Sequence, residues 1–128
     1  TPSATSSKVL VIASVTGQRG QTNSTVGGFT IARGGTNLIV PDTPQNRTPS
    51  FVWGYGSDDT NHSFNMEVYH YTFLDSPNTT SQQTYAVRVK NPYSSNQFYI
   101  NRAENIENSG SRPQGVSSII LMEIDGSW

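Results

Sequence analysis

Two histidines and a short run of acids are the residues of this chain best suited to chemistry. His62 and His70, taken with Asp58, Asp59 and Glu67, offer nitrogen and oxygen ligands for zinc. Their spacing argues against such a site, because His62 follows a polar turn and His70 lies inside an extended run. Asp58, Asp59 and Asn61 offer oxygens for calcium, but without EF-hand spacing. Carboxylate pairs for glycoside hydrolysis could be drawn from Asp58, Asp59, Glu67 and Asp75, and nothing favours one choice over another. The G-x-S-x-G, phosphate-loop and dinucleotide patterns are missing. No catalytic residue, metal-ligand set or cofactor is therefore expected.

The segment Trp53-Gly54-Tyr55-Gly56-Ser57-Asp58-Asp59 suits sugar recognition, with a ring against the apolar sugar face and acids accepting hydroxyls. The competing reading is a core Trp53 followed by a plain turn, the commoner fate of large aromatics. Asn23, Asn46, Asn61 and Asn78 each begin a glycosylation sequon, a pattern that recurs by chance in a chain so rich in Asn, Ser and Thr.

The elements that must position these residues are strands. Lys8 to Thr16 reads KVLVIASVT, a β-branched run. Phe29 to Arg33 and Thr36 to Val40 flank Gly34-Gly35, a hairpin signal. Further runs are Ser50 to Gly54, Phe64 to Leu74, Gln83 to Lys90, Gln97 to Asn101 and Val116 to Ile124. No window keeps helical apolar spacing free of Gly, Pro or β-branched residues. Strands at this spacing predict an all-β antiparallel sandwich or barrel.

Two runs are apolar on both faces. One carries Phe64, Met66, Val68 and Leu74 against Tyr69, Tyr71 and Phe73. The other carries Val116, Ile120, Met122 and Ile124 against Ile119 and Leu121. A solvated antiparallel sheet alternates apolar with polar, so such strands need cover on both faces. The opposite sheet covers one, and a second subunit or the chain's own loops must cover the other. The expected subunit contact is Tyr69, Tyr71, Phe73, Ile119 and Leu121.

The chain has 128 residues, 13% charged, with a net charge of −1 and no cysteine. That length holds one core. The charge balance argues against a nucleic-acid partner, and no run is long and apolar enough for membrane insertion. Without cysteine there is no disulfide framework and no thiolate chemistry. Residues 1–7 read as the end of a linker, and 8–128 as one domain.

The second half carries a family resemblance. Leu74-Asp75-Ser76-Pro77-Asn78-Thr79-Thr80-Ser81, then Thr84-Tyr85-Ala86-Val87, resembles a segment of the C-terminal head domains of virus fibre and spike proteins, from bacteriophage tail fibres and large algal viruses. Phe98-Tyr99-Ile100-Asn101-Arg102 and the run Gly115 to Ile124 are similar to two further strands of that family. The resemblance implies a jelly-roll related to tumour-necrosis-factor and C1q heads, a homotrimer on the virion surface. Other virion proteins would attach on its N-terminal side, and the sugar reading of Trp53 to Asp59 makes a host-surface glycan its candidate ligand. The motifs also have local readings: Asp75 to Asn78 is a turn signal, and Glu123, in an apolar strand, is expected to pair with Arg88, Arg102 or Arg112.

Binding residues concentrate on loops carried by a rigid sandwich. The candidate ligand site is therefore Trp53, Tyr55, Asp58, Asp59 and His62, in the half without a familiar pattern. The alternatives are a structural capsid or decoration protein with no receptor, and a carbohydrate-binding module or enzyme accessory domain.

Overall fold

The run of β-branched residues after Ser7 makes one long strand around which half the molecule is built. A computed structural model describes residues 1–20, 26–40, 50, 52–55, 66–91, 97–104, 110 and 113–126, with Arg19, Val26 and 52–55 described by backbone alone. Among these residues the elements are β1 (Lys8–Arg19), β2 (Val26–Arg33), β3 (Thr36–Asn37), β4 (Val52–Tyr55), β5 (Glu67–Asp75), β6 (Tyr85–Lys90), β7 (Phe98–Ile100) and β8 (Ser118–Ile124). All the described elements are strands, and all their pairings are antiparallel.

The two sheets share one plan. In the first, β1 pairs with β5 along one edge, and with β8 and then β7 along the other. In the second, β2 pairs with β6 along one edge, and with β4 and then β3 along the other. Each sheet thus has a central strand with one partner along one edge and two partners laid end to end along the other. Val9, Val11, Ala13 and Ile31 form the core between the sheets, with Tyr71, Phe73, Tyr85 and Val87 packed against it.

Register explains which residues turn inward. Val9, Val11, Ala13 and Val15 are buried and lie opposite Asp75, Phe73, Tyr71 and Tyr69 of β5. Directly opposed residues share a face, so the aromatic row of β5 points between the sheets. Phe29 closes one end of this layer, with its ring centroid 5.3 Å from Tyr69 and 5.7 Å from Phe98. Gly27 makes room for Phe98, since a Cβ there would come within 2.5 Å of the ring.

The opposite end of the core holds a polar link. Asp75 accepts from Arg33 Nη1 at 2.5 Å and from the Tyr85 hydroxyl at 2.6 Å, tying β5 to the second sheet. Burial, then the bond to Asp75, pushes the Tyr85 phenol up to about 12. The turn after β2 has Gly34 and Gly35 at φ of +53° and +92°, a left-handed pair that suits a two-residue hairpin loop.

The strand spans follow the sequence expectations, with shifted ends. β1 runs on to Arg19, and the strand expected from Phe64 begins at Glu67. Residues 1–7 do not stand off as a linker end. Pro2 and Ser7 are buried, and Ser3 donates from its amide and its hydroxyl to Glu123 Oε1, both at 2.6 Å.

Candidate functional site

Strand β8 sets the surface chemistry of the molecule. Ile119, Ile120, Leu121 and Met122 are 40, 50, 46 and 50% exposed. Pairing with β1 puts Ile119 and Leu121 opposite Ala13 and Val11, facing inward, and Ile120 and Met122 opposite Ile12 and Leu10, facing outward. On the outer face the rows Leu74–Leu10–Met122 and Thr72–Ile12–Ile120 cross three strands. Natural edge strands carry charge or proline to discourage pairing. β8 has Glu123 alone, and that carboxylate is held by Ser3.

The inward residues of β8 stay exposed because the sandwich is open where β6 faces β7 and β8. The opening has two parts. In one, Thr1, Pro2, Val9, Tyr85, Leu121 and Glu123 line a recess of about 170 Å³, and Pro2 is itself buried. In the other, Val15, Phe29, Val87, Val89, Ile100 and Ile119 line an apolar cleft of about 250 Å³. Ser117 and Ser118 stand at its margin. Ser117 Oγ accepts from the Thr16 amide at 3.0 Å and donates to Asn101 Oδ1 at 2.6 Å.

Val116, beside this cleft, is 81% exposed, more than any other large apolar residue among those described. Its carbonyl is pinned by the Thr16 hydroxyl at 3.0 Å. The preceding Gly115 amide donates to the Asn101 carbonyl at 2.9 Å.

The expected subunit-contact residues divide. Ile119 and Leu121 lie at the open edge. Tyr69, Tyr71 and Phe73 take the face between the sheets, which corrects their assignment to a free face. The outward row of β5 is Val68, His70, Thr72 and Leu74, with Val68 and Leu74 among the exposed large apolar residues. Alternation separates the two faces of a strand without saying which one turns inward, and the choice follows from the register with β1.

Of the expected ligand site, Trp53 and Tyr55 lie on β4 by backbone, paired with Gly28 and Val26, and their side chains fall outside the described residues. Asp58, Asp59 and His62 fall outside them as well. The β4 end at Tyr55 meets the start of β2, beside the β6 end at Lys90. This pole is opposite the one that holds Ser3 and Glu123. His70 is exposed on the outer face of β5. Among the described residues no three His, Asp or Glu side chains gather as metal ligands.

The carboxylates do structural work that the sequence assigned differently. Glu123 is exposed and meets Ser3, not an arginine; the Ser3 hydroxyl, then the Ser7 hydroxyl and the Ser3 amide, hold its carboxyl down at about 2. Arg88 donates to the Gly35 carbonyl, Arg102 lies 4.6 Å from the Tyr99 ring centroid, and Arg112 is outside the described residues. Asp75 ends a strand and bridges the sheets, leaving the turn to Asn78, which has φ of +52°. The Arg33–Asp75–Tyr85 link is the interaction that sequence reasoning missed. Its one signal was an acid directly after the apolar pair Phe73-Leu74.

Against known proteins, no family model, curated sequence or solved structure matches the chain.

Proposed function

We propose that this chain is the non-catalytic head of a virion fibre or spike. It is a jelly-roll sandwich that trimerises at the virion surface and contacts the host surface through the pole bearing Tyr55. The observation that carries the reading is β8, whose Ile119 to Met122 leave two-fifths to half of their surface bare on both faces of one strand. Patches of this kind mark interaction surfaces.

The family-like segments support the same reading by their place in the fold. Asp75 meets Tyr85, Asn101 meets Ser117, and Glu123 meets Ser3. These are contacts that build a head and leave its distal loops free to vary. Trp53, Tyr55, Asp58, Asp59 and His62 then supply a polar, aromatic-assisted contact to a host glycan. That contact is weak in one copy and strengthened by multivalency.

Sedimentation across the micromolar range tests assembly, with a trimer expected and a stable monomer overturning it. Tyr55→Ala with Asp58→Ala tests attachment. The pair should weaken binding to host cells and leave assembly and melting unchanged. Binding at full strength moves the receptor site elsewhere, and an assembled head that binds no cell fits a decoration protein.

A further inference from the structure

The open edge between β6 and β8 is narrowed over one half of its length. In that half the chain uses its own N-terminal segment as a wall. Pro2 is buried there and faces the recess it shares with Val9, Tyr85 and Leu121, while Ser3 anchors the segment to Glu123. A small, uncharged, apolar side chain is thus the group this fold places between β6 and β8. The other half, lined by Val87, Val89, Ile100 and Ile119, offers the same aliphatic chemistry. Among the described residues no charged side chain lines it.

Val116 is the matching group. Its backbone is fixed on both sides, through the Gly115 amide, its own carbonyl and the Ser117 hydroxyl. Valine is stiff at χ1. The side chain therefore projects from a pre-ordered segment, and little ordering entropy remains to be lost on binding. It cannot fill the cleft beside it and stay 81% exposed. A knob and a hole carried by the same chain let each copy both give and receive, either across a two-fold axis or around a closed ring.

We propose that Val116 of one copy enters the β6–β8 cleft of a second copy. This rests on the self-association proposed above and names the contact that makes it. Exposure agrees. Val89, Ile100, Val116, Ile119, Ile120, Leu121 and Met122 each leave two-fifths or more of their surface exposed around this edge. Of these, Val89, Ile100 and Ile119 line the cleft itself and Ile120 and Met122 continue the bare surface on the outer face, the kind of exposed apolar surface that marks an interface between chains. A net charge of −1 gives copies little reason to repel each other.

The cysteine-free sequence allows a clean test by cross-linking. Val116→Cys protein and Val89→Cys protein are mixed, oxidised and run without reductant. A mixed disulfide is expected, well above the level given by Ser81→Cys, which is exposed and does not line the cleft. Val116→Asp should weaken self-association at least tenfold by sedimentation and leave the circular dichroism unchanged. Wild-type protein that assembles, with Val116→Asp assembling equally well and no mixed disulfide, overturns this contact and leaves the head reading standing. Wild-type protein that stays monomeric overturns both, and uptake of an apolar dye, lost in Val89→Glu, would then make the cleft a ligand site.

Discussion

Strands β5 and β8 flank β1 on opposite edges and look alike in sequence, each apolar on both faces. The structure uses them in opposite ways. β5 turns Tyr69, Tyr71 and Phe73 under the second sheet and ends on Asp75, which Arg33 and Tyr85 hold. β8 turns Ile119 and Leu121 inward as well, but the second sheet does not close over them. Two-faced apolarity is thus one pattern with two outcomes, a core seat and a bare surface, and the neighbouring sheet decides between them.

The largest test removes the bare strand. Truncation before Val116 strips β1 of its ladder from Lys8 to Ser14. A fully buried aliphatic is worth roughly 1.5–3 kcal/mol, and half-buried ones less. Four of them with a strand's hydrogen bonds still rival a stability of about 5–15 kcal/mol. The truncated chain should show no cooperative urea transition, and a native-like melt would mean that β8 serves assembly alone.

The same contrast can be drawn with single residues. Phe73→Ala on β5 should cost about 2–3 kcal/mol in urea denaturation, somewhat below the value for a fully buried Phe. Leu121→Ala on β8 should cost about 1 kcal/mol or less in a monomer, because nearly half of the side chain is already in water. Equal losses would erase the distinction between the two strands.

Much of this was legible beforehand. Alternation through Lys8 to Thr16, Gln83 to Lys90 and Val116 to Ile124 located the strands, and Gly34-Gly35 located a hairpin. The face assignment was not legible, because Tyr69, Tyr71 and Phe73 take their side from a register with Val9 to Val15 set far away in sequence. Nor was the partner of Glu123, since a carboxylate in an apolar strand reads as buried, and only the fold brings Ser3 to it. The Asp75 link needed three segments to meet. Of the expected ligand residues, the structure settles the backbone of Trp53 and Tyr55 alone.

The smallest effects are in pH, one for each strand. Glu123 sits at about 2 against an ordinary 4.5. Its contribution is complete above 4.5 and is lost as pH falls from there toward 2. Tyr85, which reports on β5 through Asp75, sits at about 12 against 10. Its contribution is complete below 10 and is lost as pH rises from 10 through 12. Urea midpoints against pH should lose the acid slope in Glu123→Gln and the alkaline slope in Tyr85→Phe. An unchanged profile in either variant would remove that group from the account.

The pairing of Lys8 with Ile124 has a consequence for how the chain is made. β1 leaves the ribosome first, yet one of its long partners ends at Asp75 and the other at Ile124. At roughly 5–20 residues per second, the wait for the last partner is about 5–20 s. Until β5 is made KVLVIASVT has neither long partner, and until β8 is made one edge of this β-branched segment stays open, the kind of edge that nascent chains exchange with one another. Copies translated side by side on one message would meet during that interval, before either sandwich has closed. Slowing synthesis of the last strand should therefore lower soluble yield, and slowing the middle of the chain, where β5 is already available to β1, should lower it less.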